Sequence, residues 1–301
     1  MTRETKPLSD RELRDFLAKH RLPPAFLDIA ERYYLPFAMR LPDCRAGKQS
    51  LYLGINGAQG TGKSTLADFL RVATASVFDW TVAVLSIDDF YHTREKRKRL
   101  AEDVHPLLEV RGVPGTHDTD MLRQCIEQLR TADHDDQVAL PRFDKSIDDR
   151  ADASAWPIVR GPVDLIILEG WCVGTQAQSD SELDQPINQL ERDQDTSGAW
   201  RSYVNDQLKS QYAEIFDDLD MLVFLRAPSF EAIRSWRMEQ EEKLAAKSSQ
   251  AAAGLMNKEQ VTRFIEFFER LTRVNLITLS NTADIVFNLD ESHAVASVRQ
   301  A

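Results

Sequence analysis

The sequence predicts an α/β fold in which helices flank a five-stranded, mainly parallel sheet. Five apolar runs alternate with segments of helical periodicity, an order typical of parallel strands joined by crossover helices. These runs are 51–57, 81–87, 163–168, 221–225 and 285–289. The third is apolar apart from Asp164, as expected of a strand that is covered on both faces. A glycine-rich turn also joins the first run to a helical segment, which is the order of a strand–loop–helix unit.

Length and charge limit the classes of function. The chain has 301 residues and a formal net charge of −11. We expect one domain over 1–301, with an N-terminal helical extension at 1–48 and a mobile polar surface insertion at 175–198. The negative charge argues against nucleic acid or an anionic membrane as partner, because both favour a basic surface. It leaves room for a local basic pocket that binds a small anion.

Cysteine usage and the N-terminus indicate a cytoplasmic protein. Three scattered cysteines, an odd and sparse number, favour reduced thiols and offer no paired spacing for zinc. Residues 1–6 are polar and lead into no apolar core, so we expect no signal peptide. No apolar run approaches the length of a membrane span. The sequence gives no indication of the oligomeric state.

Two helices are expected before the first strand, and a short one at the end of the chain. Ser9 and Glu12 have capping-box spacing and precede a helical pattern that Pro23 and Pro24 end. A second helix begins near Ala25, and we expect its aromatic face to pack on the core. After the last apolar run, at 285–289, we expect a short C-terminal helix.

The turn after the first run matches the phosphate-binding P-loop pattern of Gly, four residues, Gly-Lys-Ser/Thr. Glycines let backbone N–H groups approach phosphate oxygens, and the N-terminus of the following helix favours an anion. Lys63 would reach the β- and γ-phosphates of a nucleoside triphosphate, and the Ser64 hydroxyl would ligate Mg²⁺. The sequence therefore predicts a P-loop NTPase fold that binds ATP through Gly57, Ala58, Gln59, Gly60, Thr61, Gly62, Lys63, Ser64 and Thr65.

Acidic residues follow two other predicted strands, at the edge where ligands gather in open α/β sheets. Glu169 comes after the third run and indicates a Mg²⁺-site acid. Asp88 and Asp89 follow the second run, and a carboxylate beside the metal suits a base that deprotonates an acceptor hydroxyl. We favour Asp88, which comes first after the strand. The alternative is that these carboxylates merely cap the next turn.

A lid arginine is expected on the helix that follows the fourth run. Arg234 and Arg237 lie there, and a cation that closes on the phosphates would stabilise the transferring group. A solvent-facing position on a charged helix accounts for either residue alone equally well. We choose Arg237 as the catalytic candidate.

Longer motifs carry a resemblance to a known family. The P-loop, Asp88-x-Phe90-Tyr91 and Leu168-Glu169-Gly170 resemble the group of uridine kinases, phosphoribulokinases and pantothenate kinases. Three further segments resemble the D-glycerate 3-kinase family of plant and fungal type: Arg111-Gly112-x-Pro114-Gly115-Thr116-His117-Asp118, Pro141-x-Phe143-Asp144-Lys145-Ser146 and Glu169-Gly170-Trp171-Cys172-x-Gly174. The resemblance covers roughly residues 51–289.

The resemblance implies an ATP- and Mg²⁺-dependent kinase that phosphorylates a small hydroxylated metabolite, D-glycerate first, to 3-phosphoglycerate. It implies that Asp88 is the base and that Ser64, Glu169 and Asp88 surround the metal. Near the acceptor it places Tyr91, His117, Asp144, Lys145 and Arg150. A glycerate carboxylate needs cations, and three of these side chains could supply positive charge: His117, Lys145 and Arg150. Pairing with nearby aspartates in a solvated loop is the alternative for Lys145 and Arg150.

Other functions remain open at this point. A nucleoside kinase or another sugar-acid kinase fits the same motifs, and so does a regulatory ATP-binding protein that transfers no phosphate. A GTPase switch is a poor fit, because the guanine-reading Asn-Lys-x-Asp is absent and Asn257-Lys258-Glu259-Gln260 lacks the final Asp. Intact Lys63, Ser64, Asp88 and Glu169 favour an active enzyme.

Overall fold

The structure is a computed structural model that describes residues 8–247 and 257–300. Ten strands lie in these residues, in chain order β1 (Leu51–Gly57), β2 (Val82–Ser86), β3 (Gln137–Ala139), β4 (Phe143–Asp144), β5 (Asp149–Arg150), β6 (Ile158–Arg160), β7 (Leu165–Gly170), β8 (Met221–Arg226), β9 (Ile285–Leu289) and β10 (Val295–Gln300). Six of them form the central sheet in the order β10-β9-β8-β1-β7-β2, while β3–β6 and β4–β5 form two small antiparallel pairs.

The central sheet confirms the predicted fold class. Strands β9, β8, β1, β7 and β2 are parallel, and they are the five strands expected from the sequence. Strand β1 lies between β7 and β8, so the loop that follows it opens at the middle of the sheet. Because parallel strands end at one edge, the residues after β1, β2 and β7 meet there.

The predicted C-terminal helix is wrong. Residues Val295–Gln300 form β10, which pairs antiparallel with β9 and adds a sixth strand at the edge of the sheet. The Asp290 carboxylate accepts the N–H groups of Ser292 and Ala294 at 2.8 and 3.1 Å, and His293 adopts a φ of 68°. This tight turn sends the chain back along β9, where the sheet supplies hydrogen-bond partners that a short isolated helix lacks.

Helices cover both faces of the sheet. The α-helices of the described residues are α1 (Asp10–His20), α2 (Phe26–Ile29), α3 (Leu35–Ala38), α4 (Leu41–Arg45), α5 (Lys63–Phe78), α6 (Arg94–Asp103), α7 (Thr119–Thr131), α8 (Asp180–Leu183), α9 (Gln189–Gln194), α10 (Ala199–Gln207), α11 (Ala213–Phe216), α12 (Phe230–Lys247) and α13 (Lys258–Thr282). Two π-helical segments, Ala30–Tyr34 and Leu208–Tyr212, join neighbouring α-helices, and 3₁₀ turns occupy Ile87–Phe90, Pro106–Glu109 and Ala153–Ala155.

Alternation along the central strands creates two cores. In β7, Leu165 and Ile167 face one core, whereas Ile166 and Leu168 face the other. The first core contains buried side chains of α5 and of the N-terminal helices, and the second contains those of α7 and α13. Strand side chains point alternately to the two faces, so a doubly covered strand must be apolar throughout. This explains the continuous apolar run of β7.

The N-terminal helices pack on the core, as the sequence indicated. Ser9 caps α1 with both hydrogen bonds of the predicted capping box to Glu12. Phe16 of α1 contacts Phe69 of α5 edge to face, with ring centroids 5.6 Å apart. Buried side chains of residues 8–45 therefore extend the first core.

The polar stretch 175–198, expected to be a mobile surface insertion, is largely exposed but contains helices and buried charges. It contains α8 and α9, and Glu191 and Asp195 are fully buried in it. Glu191 pairs with Arg270 of α13, while Asp195 pairs with Arg201 of α10. A polar composition predicts exposure only when the polar groups lack buried partners, and here arginines provide them.

No helix in residues 8–247 or 257–300 combines the length and apolarity needed to cross a membrane. Cys44, Cys125 and Cys172 are free thiols, and the latter two are buried. Burial raises the pKa of the Cys125 thiol to about 12, so this side chain stays protonated at neutral pH.

Candidate active site

The loop between β1 and α5 has the geometry of a phosphate cradle. Gly60 and Gly62 adopt φ angles of 84° and 88°, a region that side chains disfavour. At Gly57 a Cβ atom would lie 2.5 Å from Thr61 Oγ1, so only glycine fits there. The N-terminus of α5 follows directly, and its first backbone N–H groups have no acceptor within the helix. The predicted P-loop residues are therefore arranged around an anion site.

Lys63 opens α5 and points back along the loop. Its Nζ donates a hydrogen bond to the Ala58 carbonyl at 3.1 Å. Burial lowers the pKa of Lys63, while the nearby Glu169 and Asp88 carboxylates act in the opposite direction. Phosphate oxygens bound beside this ammonium would be stronger, charged partners than the loop carbonyl.

Glu169 meets the P-loop because β7 is the neighbour of β1. The register pairs Glu169 with Ile55 of β1 and with Ser86 of β2, so it lies between these two strand ends. The Ser64 hydroxyl donates to Glu169 Oε1 at 3.0 Å. These oxygens are ligands that suit Mg²⁺, which usually takes one or two carboxylates together with substrate phosphates. Within the described residues no three His, Cys, Asp or Glu side chains form a closed metal cage.

Asp88 lies in the 3₁₀ turn that follows β2. Its carboxylate accepts hydrogen bonds from Tyr91 Oη and from Lys145 Nζ, both at 2.8 Å. Burial raises the pKa of Asp88, but the Lys145 charge and the two hydrogen bonds outweigh burial, so that the pKa is lowered overall. Asp88 is therefore ionised at neutral pH and can accept a proton from a bound hydroxyl.

Asp89 has a different environment although it is adjacent in sequence. Its two carboxylate oxygens accept from Arg142 Nη1 and from the Phe143 backbone N–H, each at 3.2 Å. Burial raises the pKa of Asp89 despite the Arg142 charge. Asp89 thus anchors the segment before β4, whereas Asp88 faces Lys145.

His117 is packed deep behind Asp88. Its ring stacks on the Tyr91 ring with centroids 4.5 Å apart, and its Nδ1 lies 2.6 Å from the Tyr212 hydroxyl. Burial lowers the pKa of His117 to about 3, which the Asp88 charge only partly opposes. The expectation that His117 supplies positive charge to a substrate carboxylate is therefore wrong, because the imidazole is neutral at physiological pH.

The β4–β5 hairpin brings the other predicted acceptor residues to this edge. Lys145 reaches Asp88 as described, and Arg150 donates to Asp118 Oδ2 at 2.9 Å and to the Tyr91 carbonyl at 3.4 Å. Asp144 instead accepts the backbone N–H and hydroxyl of Ser146 within the turn, and these bonds lower its pKa. Asp144 therefore shapes the hairpin through its bonds to Ser146.

Comparisons with known proteins agree with this geometry. The uncharacterized kinase mug58 of Schizosaccharomyces pombe is 33% identical over 236 residues, which are 76% of this chain and 82% of that protein. The chloroplastic D-glycerate 3-kinase of Arabidopsis thaliana is 30% identical over 76% of this chain, which spans about half, 48%, of its length. A solved D-glycerate 3-kinase from Cryptococcus neoformans var. grubii has a TM-score of 0.72 at 26% identity, covering 89% of this chain and 97% of that one. No family model matches.

This chain belongs to the P-loop kinases related to D-glycerate 3-kinase. Its identity to mug58 extends over most of both chains, and the Cryptococcus structure shares its fold almost from end to end. It is an ATP-dependent kinase whose acceptor is a small molecule. Such a phosphotransferase needs phosphate-binding groups, ligands for a metal and a base. The loop after β1, the Ser64–Glu169 pair and the ionised Asp88 are the candidates for these roles.

The predicted lid arginine of this kinase is held away from solvent. Arg237 pairs with Glu241, donates to Gln240 at 3.1 Å and lies over the Phe264 ring at 5.4 Å from its centroid. Its side chain also lines a narrow cleft with Gln59 of the P-loop. Arg234 is exposed. In this conformation Arg237 is a neighbour of the phosphate cradle that is already paired.

Sequence reasoning missed several residues that build the site. Arg97 lies in a segment dense in Arg and Lys, yet it is 1% exposed and donates to the backbone carbonyls of His92, Glu109 and Asp148. Arg111 and Arg142 lie inside motifs that the sequence did single out, so closer attention to those motifs would have found them. Tyr212 had no signal, because it comes from a helical segment remote from every motif.

Proposed function

We propose that this kinase transfers the γ-phosphate of ATP to D-glycerate, giving 3-phosphoglycerate, with Mg²⁺ as its metal. The support is twofold. The Arabidopsis and Cryptococcus relatives are both named D-glycerate 3-kinases, at 30% and 26% identity. The edge of the sheet beside the P-loop also carries an ionised carboxylate next to cations, which suits an acceptor with both a hydroxyl and a carboxylate.

On the nucleotide side, the P-loop and the start of α5 bind the phosphates. Backbone N–H groups of 57–65 and the Lys63 ammonium would hold the β- and γ-phosphate oxygens. Ser64 and Glu169, which are hydrogen-bonded at 3.0 Å, would hold Mg²⁺, with Asp88 close by. Mg²⁺ held there would neutralise charge that develops on the phosphates during transfer.

On the acceptor side, Asp88 is the base. The acceptor hydroxyl oxygen attacks the γ-phosphorus, the bond from that phosphorus to the bridging oxygen breaks, and ADP leaves. The hydroxyl proton passes to Asp88. Lys145 and Arg150 would bind the acceptor carboxylate, because both cations lie on the hairpin that faces this carboxylate base.

The observation that carries the proposal is the Lys145–Asp88 contact of 2.8 Å beside the Ser64–Glu169 pair. This contact places the proposed base, Asp88, directly beside an anion-binding cation, Lys145, next to the nucleotide site. A nucleoside acceptor has no carboxylate and would leave this cation without a substrate partner, so the contact favours a hydroxy acid.

The proposal is tested by measuring ADP release from ATP and Mg²⁺ in the presence of single acceptors. The panel is D-glycerate, L-glycerate, uridine, pantothenate and ribulose 5-phosphate. We expect strong stimulation by D-glycerate and little by the others, and omission of Mg²⁺ should abolish it. If a different acceptor stimulates ADP release, the proposed substrate is wrong but the kinase mechanism stands. If D-glycerate gives no stimulation, the D-glycerate proposal fails.

A further inference from the structure

Tyr212 has a hydroxyl whose hydrogen bonds are fixed by its surroundings. It is fully buried at the end of the π-helical segment Leu208–Tyr212. The backbone N–H of Gly115 donates to this hydroxyl oxygen at 3.0 Å, and His117 Nδ1 lies 2.6 Å from it. A backbone N–H can only donate, so the oxygen is an acceptor towards Gly115. The hydroxyl can then donate its own proton in a hydrogen bond to His117 Nδ1.

This arrangement selects one tautomer of His117. If Tyr212 donates its proton to Nδ1, the single proton of the neutral imidazole resides on Nε2. In that form one buried group, Nε2–H, lacks a partner among the described residues. In the other tautomer Nδ1–H would donate to Tyr212, and two groups would lack a partner: the hydroxyl proton and the Nε2 lone pair. Each unpaired buried group is costly, so the Nε2–H form is favoured.

The Nε2 atom has no hydrogen-bond partner among the described residues, and His117 is 1% exposed. The ring that carries it stacks on Tyr91, whose hydroxyl binds Asp88 at 2.8 Å. The Tyr91 side chain therefore contacts both the His117 ring and the carboxylate base. The unpaired Nε2–H gains a partner if a ligand oxygen reaches it, which would offset the cost of its burial.

We propose that Tyr212 is a positioning residue that keeps the His117 proton on Nε2, so that this N–H donates a hydrogen bond to the acceptor hydroxyl that is not phosphorylated. The inference rests on the proposed function. In D-glycerate the reacting hydroxyl would lie against Asp88, and the carboxylate would bind Lys145 and Arg150. The remaining neutral hydroxyl matches a neutral donor, since charged donors pair best with carboxylates.

The positioning role is tested by the ¹⁵N spectrum of the His117 ring, which distinguishes the two tautomers. In the ADP-bound kinase we expect the Nε2–H form throughout the neutral pH range. Tyr212→Phe removes only the hydroxyl and should produce a mixture or the Nδ1–H form. Tyr203→Phe is the matched control, because Tyr203 packs on the same Gly115 without a hydrogen bond to His117. An Nδ1–H form in the wild type would overturn the assignment.

The substrate contact is tested with 3-hydroxypropionate, which resembles D-glycerate but lacks the second hydroxyl. For the wild type we expect kcat/KM to fall by about 5- to 150-fold with this analogue, the range for one lost buried hydrogen bond. In His117→Phe the two acceptors should react at nearly equal rates. His117→Gln should restore part of the preference, because its amide nitrogen reaches the Nε2 position, whereas His117→Asn, which reaches only Nδ1, should not.

Two results would refute the contact: an undiminished preference for D-glycerate in His117→Phe, or equal rates with both acceptors in the wild type. These results are distinct from failure of the proposed function. If D-glycerate releases no ADP from the wild type, the substrate proposal and this contact fall together. The ¹⁵N spectrum still decides whether Tyr212 sets the tautomer, because it needs no acceptor.

Discussion

Glu191→Gln should destabilise the kinase severely although position 191 lies in a stretch whose composition resembles a loop. The Glu191 carboxylate is fully buried and accepts two parallel hydrogen bonds from Arg270, at 2.7 and 2.6 Å. It also accepts the Ile187 N–H at 3.0 Å. Removing the charge leaves the Arg270 guanidinium, whose side chain is 9% exposed, without its counter-charge.

The expected loss in the free energy of unfolding depends on the hydrogen-bond acceptors that Arg270 keeps in the variant. Breaking a buried pair by removing one partner costs about 3 to 5 kcal/mol. Arg270 keeps two backbone acceptors, the Glu182 carbonyl at 3.0 Å and the Gln185 carbonyl at 2.7 Å. We therefore expect the lower end, a loss of about 3 kcal/mol in the free energy of unfolding.

The assay is equilibrium unfolding in urea, compared with Glu214→Gln as matched control. Glu214 also pairs with an arginine, Arg123, but both side chains are more than half exposed. Such surface pairs contribute about 0 to 1 kcal/mol. The double variant Glu191→Leu with Arg270→Met should recover much of the loss, since it removes both buried charges. A loss for Glu191→Gln no larger than that for Glu214→Gln would refute the reasoning.

Three further predictions concern the chemistry. Lys63→Ala should abolish turnover, because it removes the ammonium proposed to hold the β- and γ-phosphate oxygens; turnover within tenfold of the wild type would contradict this. Asp88→Asn should bind ATP normally in a calorimetric titration yet lose phosphoryl transfer, and retained ADP release would remove Asp88 as the base. Lys145→Met should move the acid limb of the kcat/KM profile to higher pH, because Lys145 lowers the pKa of Asp88 against burial and a less acidic base ionises only at higher pH. An unmoved limb would show that Lys145 does not control Asp88.

Residues at strand ends were predictable because their position depends on local pattern and sheet order. An apolar run followed by a polar motif marks the carboxyl end of a strand, and the adjacency of β1 and β7 brings Ser64 to Glu169. The same logic placed Asp88 beside them. These expectations needed only the order of strands and helices along the chain.

The missed features depend on contacts between remote segments. Arg97 is buried because carbonyls 12 and 51 residues away in the chain accept its hydrogen bonds, and a carbonyl has no side-chain signature. Tyr212 lies 95 residues from His117 and meets it only once the helices pack. Strand β10 formed because the edge of β9 offered partners. Tertiary contact overrode local propensity in each case.

Four cations around the acceptor edge are paired within the protein, which changes how an anionic substrate would bind. Each has an aspartate partner between 2.8 and 3.2 Å away, in the pairs Lys145–Asp88, Arg150–Asp118, Arg142–Asp89 and Arg97–Asp148. An incoming carboxylate therefore exchanges partners and does not meet a bare positive charge. Because an existing ion pair must break, this exchange gives less net affinity than a new ion pair would. It makes binding depend on how well the substrate carboxylate fits the position of the cation.

Exchange at Lys145 would have a catalytic consequence as well. When a substrate carboxylate takes Lys145, Asp88 loses the cation that lowers its pKa, while its burial persists. Asp88 then becomes a stronger base at the moment when the hydroxyl to be deprotonated is in place. An acceptor without a carboxylate would leave Lys145 on Asp88 and react slowly even when bound. On this argument, selectivity for hydroxy acids would be expressed in kcat as well as in KM.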